Sequence, residues 1–181
     1  LPLIKSYIEI TPNCKIVHVD QLTEGAACTT LLAKNYIDND NSLLIANSDQ
    51  FIEWNSSKTL YELKSKHYDG GILVFNSIHP KWSYAKVDKD EIVTEVAEKK
   101  VISNNATVGI YFWKKGSEYV KYANQMISKG LRVNNEFYVC PVFNEAIKDN
   151  KIIKIKKIDK MWGLGTPEDL DYFQKNFKGV I

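Results

Sequence analysis

The chain predicts an α/β fold in a single domain spanning residues 1–181. Three observations carry this: apolar runs of strand length alternate with segments of helical composition, polar turns separate them, and no repeat, low-complexity tract or linker interrupts the series. A folded chain of 181 residues buries roughly 70% of the surface it would expose unfolded. Such a core holds without disulfide or metal staples, and ten Tyr, seven Phe and four Trp provide its bulk.

Lys15-Ile-Val-His-Val19 is a β-branched run suited to a buried strand. It leads into Gln21-Leu-Thr-Glu-Gly-Ala-Ala27, where small residues permit close backbone approach. Residues 27–36 have helical composition, with Leu31 and Leu32 for burial, and Asp38-Asn-Asp-Asn-Ser42 ends them in a polar turn. Leu43-Leu-Ile-Ala46 is a continuous apolar run of the kind found in the middle of a parallel sheet, and Asn47-Ser48-Asp49 stands at its carboxyl end. Residues 57–66 read as a helix, Gly71-Ile-Leu-Val-Phe75 as a strand, and Tyr84-Ala-Lys-Val-Asp88 with Ile92-Val-Thr-Glu-Val-Ala97 as an exposed antiparallel pair. Ala106-Thr-Val-Gly-Ile-Tyr-Phe-Trp113 is a further buried strand and residues 117–128 an amphipathic helix. Lys151-Ile-Ile-Lys-Ile-Lys-Lys-Ile158 reads as a half-buried strand with a solvated lysine face. A last helix begins at Thr166, with Pro167 in its first position and Glu168 and Asp169 at the positive end of its dipole.

Composition excludes several classes of function. A net charge of +2, without a Lys/Arg stripe interleaved with aromatics, gives no reason to expect a nucleic-acid partner. Cys14, Cys28 and Cys140 form no C-x-x-C pair, and an odd count does not build a secreted disulfide framework, so they read as small buried hydrophobes of a reducing compartment. His18, His67 and His79 lack the spacing of zinc ligands. No apolar stretch approaches the roughly 20 residues needed to cross a bilayer, so no membrane partner is expected. The start Leu-Pro-Leu-Ile-Lys-Ser has neither the basic nor the long apolar region of a signal peptide, and a cytoplasmic location is the expectation. Opening on Leu1 rather than Met points to a processed or truncated chain.

In an open α/β sheet, ligands bind beyond the carboxyl ends of the strands. Asp49 is the best placed residue by that criterion. A carboxylate held there by a strand suits a hard, oxygen-ligated cation such as Mg²⁺ bridging to phosphates; a cap of the next turn is the competing reading. In the block from Gln21 to Ala27, free backbone N–H groups can meet an anion or a base edge, and Gln21 offers both donor and acceptor; a helix start capped by Thr23 explains the same residues. In Glu98-Lys99-Lys100-Val-Ile-Ser103-Asn104-Asn105, a lysine can neutralise phosphate while a neighbouring carboxylate or amide orients a polyol or amine. A solvated charged turn is the plain alternative for that block.

Taken together, in this order and spacing, the blocks resemble the sugar-phosphate nucleotidyltransferases that make nucleotide-activated sugars and related capsule or lipopolysaccharide precursors. The likeness runs from about Lys15 to Phe173. It implies a Rossmann-like fold of GT-A type, a mostly parallel mixed sheet with helices on both faces. By this resemblance Gln21, Glu24 and Gly25 belong to a base-contacting loop, and Asn47 and Asp49 to the metal-bearing strand end. Tyr84 and Ala85 would precede the acceptor site, Glu98 and Asn104 would contact the acceptor, and Lys99 its phosphate. Trp162-Gly-Leu-Gly165-Thr166-Pro167 resembles the closing motif.

The implied reaction is attack of an acceptor phosphate on the α-phosphorus of a nucleoside triphosphate, with Mg²⁺ and Lys99 neutralising charge and pyrophosphate released. Two departures stand out. The amino-terminal Gly-rich loop that cradles the triphosphate in this family is absent, so the chain reads as truncated at its amino terminus. Gly163 occupies a position where related enzymes often carry an Asp or Asn as a second metal ligand. A glycosyltransferase of the same broad fold and a nucleotide-binding fragment without turnover are the other readings.

Overall fold

The computed structural model describes residues 13–179. In chain order its elements are α1 (Ala26–Leu31), α2 (Lys34–Ile37), β1 (Leu43–Ala46), β2 (Gln50–Glu53), α3 (Ser56–Ser65), β3 (Gly70–Asn76), β4 (Ser83–Val87), β5 (Val93–Glu98), β6 (Asn105–Trp113), α4 (Gly116–Ser128), α5 (Val142–Lys148), β7 (Ile153–Lys157), β8 (Lys160–Gly163) and α6 (Pro167–Asn176).

Six strands form one mixed sheet in the order β5-β4-β6-β3-β7, with β1 also paired to β6. β6 runs antiparallel to β1, β3 and β4, while β7 lies parallel to β3. It follows that β1, β3, β4 and β7 all point one way, and β6 and β5 the other. The expected parallel bias therefore lies in strand direction. Most bonded neighbours are antiparallel because β6 sits in the middle of the sheet.

Period-2 alternation divides the core between the two faces of the sheet. Ile72 and Val74 of β3 and Tyr111 and Trp113 of β6 face α4 and α5, packing with Tyr119, Val120, Tyr122 and Phe143. Trp113 stacks on Phe143 at 4.2 Å between ring centroids. Leu73, Val108, Ile110 and Phe112 face the other way, onto Leu63 of α3 and onto Ile52 and Met161. Those last two belong to a separate two-stranded ribbon, in which β2 pairs antiparallel with β8. Phe51 and Trp162 of the ribbon pack on Phe173 of α6 and on Phe177.

Several expectations change. The run from Lys15 to Val19 joins no strand among the described residues, and Ile16 and Val19 are about half exposed at 49% and 50%. Its β-branched side chains supply propensity, but it forms no ladder with any described strand. β1 is half buried rather than central, alternating between partly covered and exposed positions. The β4–β5 pair is not exposed, since Tyr84, Ala85, Val93 and Val96 are all buried. Asn144 of α5 clamps it, accepting from the Val96 N–H at 2.9 Å and donating to the Val96 carbonyl at 2.8 Å. On β7 the lysines are paired rather than free: Lys154 and Lys157 meet Glu91, and Lys156 meets Glu62.

Candidate active site

β1 and β4 occupy the same edge of β6, one after the other. β1 pairs as far as Ala46 opposite Ile110, and β4 takes over at Tyr84 opposite Ala106. Between them β6 carries an irregularity: Ile72 faces Tyr111, yet two residues later Val74 faces Thr107, so β6 has two residues more than β3 over this interval. Gly109 lies within it at φ 72°. A Cβ on Gly109 would lie 2.5 Å from Asn47 Nδ2, so both backbone twist and close approach call for glycine here. The edge left open is a groove in two connected parts.

The first part, about 270 Å³, is walled by Ser83, Glu98, Thr107, Tyr111, Tyr138 and Cys140. Ser83 donates to Glu98, and the Thr107 and Tyr111 hydroxyls are 3.0 Å apart. Burial lifts the Glu98 carboxyl above the ordinary glutamate range, although Ser83 and the nearby Lys99 pull it down. Burial also pushes the Cys140 thiol and the Tyr111 hydroxyl upward, so both stay protonated at neutral pH. A neutral thiol is no nucleophile, and the wall offers hydrogen bonds rather than covalent chemistry.

The second part, about 210 Å³, is walled by Asp49, Asp169, Gly163, Gly165 and Thr166. The ribbon sets Asp49 in place: the Leu164 N–H donates to the Asp49 carbonyl at 2.8 Å, and Gln50 pairs with Gly163 in the next step of the ladder. A Cβ on Gly165 would sit 2.7 Å from Asp49 Oδ2, and one on Gly163 would sit 3.3 Å from the Asp169 carboxylate. Asp169 stands in the first turn of α6, where its N–H donates to the N-cap Thr166 Oγ1 at 3.1 Å. Two carboxylates thus share a wall made narrow by missing side chains.

Asn47, Gln50, Lys81 and Trp82 line both parts and form the junction. Because they share these four residues, the two parts form one continuous groove that a single ligand or two touching ligands can span. Gln50 Nε2 is buried there without a hydrogen-bond partner. An orphaned buried donor costs about 1–3 kcal/mol, which a ligand oxygen would recover.

A sequence model of the family described as "Nucleotidyl transferase" matches residues 3–175. The chain belongs to that family. A search of curated proteins finds no match. Among solved structures, the fold of this nucleotidyltransferase is similar to that of a nucleoside-diphosphate-sugar pyrophosphorylase from Vibrio cholerae RC9, with a TM-score of 0.73 and 24% identity over 87% of this chain and 68% of the other. It is similar also to a UDP-glucose pyrophosphorylase complexed with UDP-glucose, with a TM-score of 0.74 and 16% identity over 97% of this chain and 72% of that one.

Of the residues singled out in the sequence, Asn47, Asp49 and Glu98 converge on the groove of the nucleotidyltransferase. Lys99 stands just outside, its ammonium donating to the Tyr138 hydroxyl at 2.7 Å and lying over that ring. Tyr84 and Ala85 are fully buried and line neither part; the Tyr84 hydroxyl donates to the His79 carbonyl at 2.7 Å, and the Ala85 carbonyl accepts from Ser103 and Asn105. Asn104 borders a different cavity with Asn76 and Lys157. Gln21 is exposed and borders neither part, and Glu24 pairs with Arg132. Gly25 is required by packing, since a Cβ there would meet the Phe137 backbone at 2.6 Å; from this loop only Ala26 reaches the groove.

Sequence reasoning missed Gln50, Lys81 and Asp169. Gln50 directly follows Asp49, which was a signal. Asp169 was visible only as a partner of the helix dipole.

Proposed function

We propose that this nucleotidyltransferase transfers a nucleoside monophosphate from a nucleoside triphosphate to a sugar phosphate or similar small phosphorylated acceptor, releasing pyrophosphate. The observation that carries the reading is one groove with two unlike walls. Two carboxylates and two glycines at Asp49, Asp169, Gly163 and Gly165 suit the divalent cation that accompanies a polyphosphate, and hydrogen-bonding groups at Ser83, Glu98, Thr107 and Tyr111 suit a polyol. The pyrophosphorylase names of the structural neighbours support the same substrate class. Synthesis of capsule or lipopolysaccharide precursors in the cytoplasm is the role that fits such a product.

In the reaction, an acceptor phosphate oxygen attacks the α-phosphorus. A P–O bond forms, the bond to the bridging oxygen of the β-phosphate breaks, and its electron pair leaves with pyrophosphate. The attacking phosphate is ionised at neutral pH, so no side chain has to remove a proton. The protein aligns the two substrates and stabilises charge.

The oxygen-only donor set of Asp49 and Asp169, in a wall that two glycines keep clear, fits Mg²⁺, so Asp169 offers the second carboxylate that Gly163 lacks. Asp49 and Asp169 would hold the ion, and the chemistry it would supply there is Lewis-acid neutralisation of phosphate charge. Glu98 and Ser83 would hold acceptor hydroxyls.

Pyrophosphate release with CTP, UTP or dTTP, each offered with a panel of sugar phosphates and Mg²⁺, is the test. One nucleotide and acceptor pair is expected to release pyrophosphate in step with a nucleotide-sugar product. Consumption of a nucleotide-sugar donor without pyrophosphate would transfer the chain to the glycosyltransferase reading. Nucleotide binding with no turnover from any pair would leave it a binding protein.

A further inference from the structure

We infer that Lys81, assisted by Gln50, supplies the positive charge that meets the phosphate at the point of transfer. This deepens the proposed transferase reading and rests on it. The two parts of the groove, one suited to each substrate, meet at the junction that Lys81 and Gln50 line. Phosphorus transfer has to take place where the two substrates touch. Among the described residues Lys81 is the one lysine or arginine that lines either part.

The backbone beneath Lys81 is held firmly. His79 Nδ1 accepts from the Lys81 N–H at 3.2 Å, the His79 N–H donates to Ser77 Oγ at 3.2 Å, and the Tyr84 hydroxyl fixes the His79 carbonyl. The ammonium itself is held loosely. It lies 4.6 Å above the Trp82 ring, and its carboxylate partner, Asp169 Oδ1, is 3.5 Å away. That exceeds the roughly 2.7–2.9 Å of a tight charge-assisted hydrogen bond, so donors remain available. Lys99, by contrast, is engaged with the Tyr138 hydroxyl and lines neither part.

Gln50 completes the arrangement. Its Nε2 is buried without a hydrogen-bond partner, and the residue lines the same junction as Lys81, so it offers a donor to whatever the ammonium meets there. A phosphate oxygen at the junction satisfies both. An ammonium whose weak partner is a carboxylate can move to the phosphate when that carboxylate takes a cation, which couples charge neutralisation on one wall to the other.

The test compares Lys81→Met, Lys81→Arg, Gln50→Leu and Lys99→Met in the full chain. It measures kcat and both KM values, binding of inorganic pyrophosphate by calorimetry at two salt concentrations, and thermal melting. Lys81→Met is expected to lower kcat about 100-fold, the usual size for losing one charge-stabilising donor, with each KM changed less than about threefold. It should also weaken pyrophosphate binding and flatten its salt dependence, while Lys81→Arg restores most of both. Gln50→Leu should lower kcat about tenfold without lowering the melting temperature, because an unpaired donor is removed. A Lys81→Met enzyme with wild-type kcat, beside a Lys99→Met enzyme that has lost turnover, would overturn the assignment. If the wild-type chain turns over no pair, the transferase reading fails by itself, and pyrophosphate binding unaffected by Lys81→Met then separately overturns the contact.

Discussion

Burial raises the Glu98 carboxyl above the usual glutamate range, and the Ser83 hydroxyl is the strongest of the groups that restrain it. Removing that hydroxyl lets the carboxyl rise further. If the ionised form binds acceptor hydroxyls, Ser83→Ala should move the acid limb of kcat/KM to higher pH while leaving the alkaline limb in place, as a pH profile would register. An unmoved acid limb would mean that Glu98 is not the titrating group. At Gly109, an added methyl group meets both a left-handed backbone and the Asn47 amide. Gly109→Ala should cost about 1–2 kcal/mol in denaturant unfolding for the backbone alone. It should also weaken ligand binding, since Asn47 has to rotate away from the junction of the groove.

Two contacts between elements make separate predictions. Glu145 of α5 is 1% exposed and accepts from Lys129 at the end of α4 and from Lys148. Burial alone would raise its carboxyl, but the two lysines outweigh that and hold it below the ordinary value. A carboxyl depressed by folding contributes stability that is complete above its unfolded value and lost as pH falls through its folded one. Glu145→Gln should therefore flatten the acid side of the stability curve below about pH 4.5 and cost about 1–2 kcal/mol at pH 7, measured by urea titration. On the other side of the sheet, Phe173 of α6 packs against Phe51, Trp162 and Phe177. Phe173→Ala should cost about 3 kcal/mol or more and, if Asp169 serves the site as proposed, should reduce turnover as well, because α6 carries that residue. Full turnover in that variant would detach α6 from the site.

At the scale of the whole molecule, the main sheet was legible because its pattern is local. The alternation in β6 assigns side chains to two faces, and Thr166 and Pro167 mark a helix start that the structure keeps. Asn47 and Asp49 could be found because strand ends are where an α/β sheet opens to ligands, whereas Glu98 came from the likeness of its charged block to a family's acceptor site. β2 and β8 could not be found. Each is four residues long and its ladder partner lies far away in the chain, so no period or turn signal announces the pair. Gln50 and Asp169 were missed for the same reason, since only that pairing and the helix beyond it bring them to the groove.

The ribbon has its own thermodynamic standing. An isolated two-stranded pair is marginal in water, so the ribbon depends on the aromatic cluster under α6 and on Ile52 and Met161 against the main sheet. In hydrogen exchange, the amides of β2 and β8 should open at lower free energy than those of β3 and β6. Asp49 immediately precedes the ribbon, whereas Ser83 and Glu98 belong to the main sheet. A ligand that spans the groove binds only molecules in which the ribbon is docked, so its binding free energy is added to the cost of opening β2 and β8, as to any opening that breaks the groove, and those strands are the ones that open most readily. The exchange rate of those few amides becomes a gauge of occupancy, readable before any product is formed.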